Sequence, residues 1–214
     1  MLIAPSTSRT LALAAATIAV LVPASSAAQK IAPSLKATPA TIEFGKGDIV
    51  LSGVVPSKRA GEPLSILSQA CLFTEPAEIA TVTTRAGGAF RFRVQPMLNT
   101  TFSVRWNDSV SAAVRVGVRP VVALRRIANG RYRVEVSTTN PVFLNGKTVE
   151  LQRAVGKRWV TVKRAPLAKA SPETAIRVLS AVTISARVTG TVRAKLPQAQ
   201  AGCYLGATSG SIGA

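Results

Sequence analysis

A chain of 214 residues, 47% apolar yet only 5% aromatic, carries 27 Lys/Arg against 9 Asp/Glu and a formal net charge of +18. So much apolar content excludes intrinsic disorder in spite of the charge. The complete lack of histidine removes the commonest general base, triad member and metal ligand.

The first residues read as a targeting segment. Arg9 supplies a positive start, residues 11–22 form an unbroken apolar run, Pro23 ends it, and the small residues Ser26, Ala27 and Ala28 follow. This order predicts a secretory signal peptide, residues 1–28, cut after Ala28. The apolar run is too short to cross a hydrocarbon core of about 30 Å. No transmembrane span is therefore expected, and the protein is expected outside the cell, either free or at the cell surface. The remaining residues 29–214 suit two domains of about 90 residues each. Their charge is uneven: residues 29–117 hold ten Lys/Arg and six Asp/Glu, whereas residues 118–214 hold sixteen and three.

A flexible lead, residues 29–39, precedes the first module, residues 40–117. Period-2 alternation predicts strands near 40–44, 48–55, 63–70, 78–84, 89–95, 100–106 and 111–118. Turn residues separate them, among them Gly45, Gly61, Gly87 and Gly88, Pro96, Asn107 and Asp108. Phe90, Phe92 and Val94 alternating with Arg91 and Arg93 give the clearest in/out strand.

The second module, residues 118–214, follows at Arg119 and Pro120 with strands near 120–126, 131–138, 147–153, 158–164, 182–188, 191–196 and 203–209. The modules repeat one another. Ile49, Leu51, Gly61, Leu64 and Ile66 recur 85 positions later as Val134, Val136, Gly146, Val149 and Leu151. Farther on, residues 90–94 match 184–188 and residues 101–104 match 191–194. The extra residues around 165–181 read as a surface loop with at most one short strand. Seven short strands per module predict an all-β fold: two tandem immunoglobulin-like Greek-key β-sandwiches behind an N-terminal signal helix.

Leu51-Ser52-Gly53, Gly61-Glu62-Pro63-Leu64, Gly87-Gly88-Ala89-Phe90, Arg158-Trp159-Val160-Thr161-Val162 and the late Cys203-Tyr204-Leu205 resemble bacterial immunoglobulin-like repeats of exported actinobacterial surface proteins. The resemblance spans about residues 40–210. It implies a non-catalytic sandwich used for binding, spacing or display, and it carries no active site to transfer.

Catalytic patterns fail one by one. Residues 206–210 are not a Gly-x-Ser-x-Gly elbow, and Glu75 and Glu78 read as solvated neighbours rather than as carboxylates set across a cleft. Two cysteines are too few for a thiolate zinc site. No enzyme activity, cofactor, metal or specific nucleic-acid partner is therefore expected. Cys71 and Cys203 are instead an even pair in a chain expected outside the cell, where disulfides persist. They fall in different modules. Sandwich topology puts Cys71 at the end of the first module that faces the second, and Cys203, at the start of the final strand, at the end facing back. An inter-domain disulfide is expected, the alternative being two free or differently paired thiols.

Strand phase singles out a basic face in the second module. If Val192, Ala194 and Leu196 face the core, Arg193 and Lys195 point outward, and so does Tyr204 if Leu205 and Ala207 point in. Val160 and Val162 claim the inward phase of their strand. Trp159 is then left outward or at an edge between Arg158 and Lys163, either stacking on sugar rings or covering the core. Arg158, Trp159, Lys163, Arg193, Lys195 and Tyr204 are the candidate ligand contacts. The expected partners are anionic envelope polymers such as teichoic acids, or acidic polysaccharide. The alternative is another exported protein, served by this chain as a passive spacer or accessory subunit.

Overall fold

Residues that alternate in polarity along the sequence alternate in burial along the strands, because successive side chains of a strand point to opposite faces. A computed structural model describes residues 31–170 and 174–214. The expected signal helix, residues 1–28 with cleavage after Ala28, lies outside the described residues.

The first half of the chain forms β1 (Lys36–Thr38), β2 (Thr41–Glu43), β3 (Ile49–Val54), β4 (Pro63–Ala70), β5 (Ala77–Thr83), β6 (Ala89–Val94), β7 (Thr100–Trp106), β8 (Ser109–Val110) and β9 (Val114–Arg119). They make two sheets, ordered β1-β3-β6 and β2-β9-β7-β4-β5, with β8 on β7 and β2 parallel to β9. Pro120 alone separates β9 from the second half. That half forms β10 (Val121–Ala128), β11 (Arg131–Thr139), β12 (Thr148–Val155), β13 (Arg158–Pro166), β14 (Ala168–Ala170), β15 (Arg177–Ser185), β16 (Thr191–Leu196), β17 (Ala207–Thr208) and β18 (Ile212–Gly213). Its sheets are β10-β11-β15-β14 and β13-β12-β16-β17, with β18 also on β16. In both halves, strands distant in sequence lie side by side in a Greek-key order, which is the immunoglobulin-like sandwich.

The residues matched 85 positions apart take corresponding strand positions in the two halves. Ile49 and Leu51 on β3 stand where Val134 and Val136 stand on β11, and Leu64 and Ile66 on β4 where Val149 and Leu151 stand on β12. All eight are buried, and each contributes about 1.5–3 kcal/mol of hydrophobic stabilisation. Gly61 and Gly146 close the matching turns at φ +83° and +75°, a region that side chains rarely adopt. Both copies also bulge at the same point, after Ile66 and after Leu151.

The copies diverge after that. A strand near 182–188 is expected, but the strand is β15, six residues earlier in register, with Val182 opposite Val134 and Ser180 opposite Val136. Ser180 occupies a core position, its hydroxyl accepting the Leu144 N–H at 3.0 Å. A satisfied polar residue in the inward phase thus masks the apolar alternation. The expected loop at 165–181 contains β14 and the start of β15. The expected final strand at 203–209 is a loop through Cys203 followed by the two short strands β17 and β18.

That loop, residues 197–206, reaches across to the first sandwich. Cys203 forms the expected disulfide with Cys71, 132 residues away, from a loop and not from a strand. The Cys203 carbonyl accepts the Asn99 N–H at 3.0 Å, and the Leu205 N–H donates to the Val118 carbonyl at 2.8 Å. Leu205 packs on Gly117, where a Cβ would collide with it. Tyr204 meets Phe44 edge-on, ring centroids 6.3 Å apart.

Candidate ligand-binding face

The outward surface of the β13-β12-β16 sheet follows from strand register. On β12, Val149 and Leu151 face the core, so Glu150 and Gln152 face out. Lys195 and Arg193 lie opposite them on β16, and Arg164 and Thr161 on β13. The bulge makes this possible: Leu151 pairs with Lys163 and Gln152 with Thr161, which leaves Val162 as the extra residue and resets the phase of β13.

The face is wired by hydrogen bonds. Arg193 Nε donates to Gln152 Oε1 at 3.0 Å, and Gln152 Nε2 donates to Glu150 Oε2 at 3.0 Å. The same carboxylate accepts from Thr161 Oγ1 at 3.1 Å and from Arg164 Nε at 2.9 Å. Burial opposes ionisation of Glu150, but the hydrogen bonds from Arg164, Thr161 and Gln152, with the Arg164 charge, outweigh it and hold the carboxyl below its ordinary pKa. Glu150 therefore serves as a charged anchor that fixes its neighbours. The Arg193 guanidinium lies 4.2 Å from the Trp159 ring centroid, a cation–π contact.

Of the six residues singled out from the sequence, the fold brings Trp159, Arg193 and Lys195 onto this one face. Trp159 is half-buried beneath Arg193, so that side of its ring is occupied. Arg158 is exposed at the hairpin end of β13, opposite Val155. Lys163 takes the other phase and donates Nζ to the Ser185 carbonyl of the facing sheet at 2.9 Å. Val160 and Val162, expected inside, are 49% and 38% exposed, because the edge strand and its bulge lift them from the core. Tyr204 is the main correction. It is fully buried, not outward, and its hydroxyl accepts the Thr139 N–H at 2.7 Å. Burial pushes its pKa up to about 12, partly offset by that hydrogen bond. Its outward phase assumed a strand where the chain makes a loop.

Glu150, Gln152 and Arg164, which hold the face together, are not among those six residues. Their signal is the polar Glu150 and Gln152 alternating with the apolar Val149 and Leu151. Such residues can stay buried on the outer side only if long neighbours cover and bond them.

These features define a disulfide-linked pair of immunoglobulin-like β-sandwiches. No family model matches the chain, and no curated protein matches it in sequence. Among solved structures it is similar to bovine butyrophilin, with 12% sequence identity, a TM-score of 0.38, and coverage of 85% of this chain and 98% of that one.

Proposed function

We propose that this is an exported, non-catalytic binding protein that holds anionic envelope polymers or acidic polysaccharide on the β13-β12-β16 face of its second sandwich. Residues 40–117 serve as the platform and residues 118–214 as the binding domain. The observation that supports this reading most is the posture of Arg193. Its Nε is committed to Gln152 and its guanidinium lies over Trp159, so a half-exposed cation is held in one posture on the outward side of the sheet. A pre-set guanidinium fork suits carboxylate and phosphate and loses little rotamer freedom on binding. Lys195 adds a second cation about 7 Å along the strand.

Binding to poly(glycerol phosphate) and to a uronate polymer, titrated against salt, tests the reading. The expected result is a log-linear loss of affinity with rising salt. No binding at low salt overturns it.

A second reading, an accessory subunit for another exported protein, draws on Leu72 and Phe73. They are 53% and 65% exposed on the loop between β4 and β5, beside a pocket of about 580 Å³. A stoichiometric protein partner captured by the purified chain, and lost with Phe73→Asp, supports this alternative.

A further inference from the structure

The basic face ends in a cleft. Where β17 closes the second sandwich, a cavity of about 710 Å³ separates it from the first. Lys195 and Thr208, paired across β16 and β17, form one wall. Arg119 and Lys46 come from the other side, together with Glu43. Glu43 is held by Lys46 at 2.8 Å, so these two largely cancel. Arg119 is exposed at the end of β9 and has no ion pair among the described residues, and neither has Lys195. Two cations without an ion pair among the described residues, one from each sandwich, thus share one cleft.

We infer that this cleft is a second anion subsite, and that one linear anionic glycopolymer runs from Trp159 and Arg193, past Lys195, to Arg119. The inference rests on the face reading above. From β13 to β17 is three strand spacings, about 14 Å, so a chain reaching the cleft spans roughly 20 Å. Single-stranded nucleic acid would need open aromatic rings for base stacking, whereas the Trp159 face is covered by Arg193. A membrane surface would meet a flat or convex patch, not two cations facing into a cleft.

The disulfide and the Asn99 and Leu205 hydrogen bonds pin the 197–206 loop, which lines this cleft at Gln198, Leu205 and Gly206, to the first sandwich. The two walls are thereby held at a fixed separation, and the site exists only in the joined molecule.

The test uses the intact disulfide-bonded chain with polygalacturonate and poly(glycerol phosphate), each as long chains and as oligomers too short to bridge 20 Å. Arg119→Glu keeps the backbone carbonyl that accepts the Phe44 N–H, and Arg119→Gln provides a milder variant. The inference expects Arg119→Glu to weaken long-chain binding about tenfold and lower the salt slope by about one, leaving oligomer binding unchanged. Arg193→Glu weakens both. Whichever polymer shows the length dependence identifies the anion as carboxylate or phosphate. Unchanged long-chain binding in both Arg119 variants overturns the cleft while the face stands. Loss with the Arg119 variants but none with Arg193→Glu removes the face, and with it the single chain running from face to cleft. An equal Arg119 effect on duplex DNA or anionic vesicles overturns the inference, because the contribution is then charge without a site.

Discussion

The same face of the same fold is built twice in this protein, with opposite outcomes. Register makes Ser65 of the first sandwich the counterpart of Glu150, Leu67 that of Gln152, and Ser103 and Arg105 those of Arg193 and Lys195. On the edge strands, Glu78 and Thr81 stand where Thr161 and Arg164 do. The first face thus carries one cation and one carboxylate around a buried leucine. The second carries three cations arranged around one carboxylate. A sandwich keeps its core mainly through the inward phase, so the outward positions of the two halves can differ, and the charge is concentrated on the second.

The largest effect is expected at the link between the two sandwiches. In the chain-entropy model, a disulfide closing 132 residues contributes about 5 kcal/mol. Cys71→Ser with Cys203→Ser is expected to lower the denaturant midpoint markedly and to split unfolding into two transitions, one for each sandwich. A single unsplit transition would show that the 197–206 loop couples the halves without the bond.

Next comes the carboxylate anchor. Glu150→Ala removes several charge-assisted hydrogen bonds and is expected to cost about 2 kcal/mol. Glu78→Ala, at an exposed position of edge strand β5, is expected to leave stability unchanged within error. Because the folded pKa of Glu150 is depressed, its contribution is fully present above the ordinary carboxylate value of about 4.3 and is lost as pH falls through the folded value. Acid unfolding curves of wild type and Glu150→Gln should therefore converge at low pH.

A smaller effect is expected at the contact between copies. Tyr204 has a raised folded pKa, so the unfolded chain loses that proton first, and stability falls as pH rises from about 10 toward about 12. Tyr204→Phe is expected to cost about 1–2 kcal/mol at neutral pH, because the Thr139 N–H loses its acceptor. It should also remove that part of the alkaline decline. An unchanged alkaline profile would place the titration elsewhere.

How much was legible in the sequence depended on phase. The inward residues Ile49, Leu51, Val134 and Val136 announce their strands because nothing but burial dictates them, and Cys71 and Cys203 announce their bond by count and topology. Ser180 hides β15 because its hydroxyl is satisfied by a backbone partner 36 residues away, which no local pattern reveals. Tyr204 deceives because period-2 reasoning applies only while the chain is a strand. The face was half legible: Arg193 and Lys195 follow from Val192, Ala194 and Leu196, but the bulge that brings Trp159 over to them depends on pairing between strands. Arg119 is invisible as a site residue, since its role arises only where the two sandwiches meet.

In the proposed function the outward face of the second sandwich, and not that of the first, holds the anionic polymer. The most direct measurement is the salt-dependent affinity of two matched double variants for poly(glycerol phosphate): Arg193→Glu with Lys195→Glu, and Ser103→Glu with Arg105→Glu. The first pair is expected to lower affinity at least tenfold and flatten the salt slope by about two, while the second pair is expected to change affinity less than about twofold. Equal losses from both pairs, or none from the first, would contradict it.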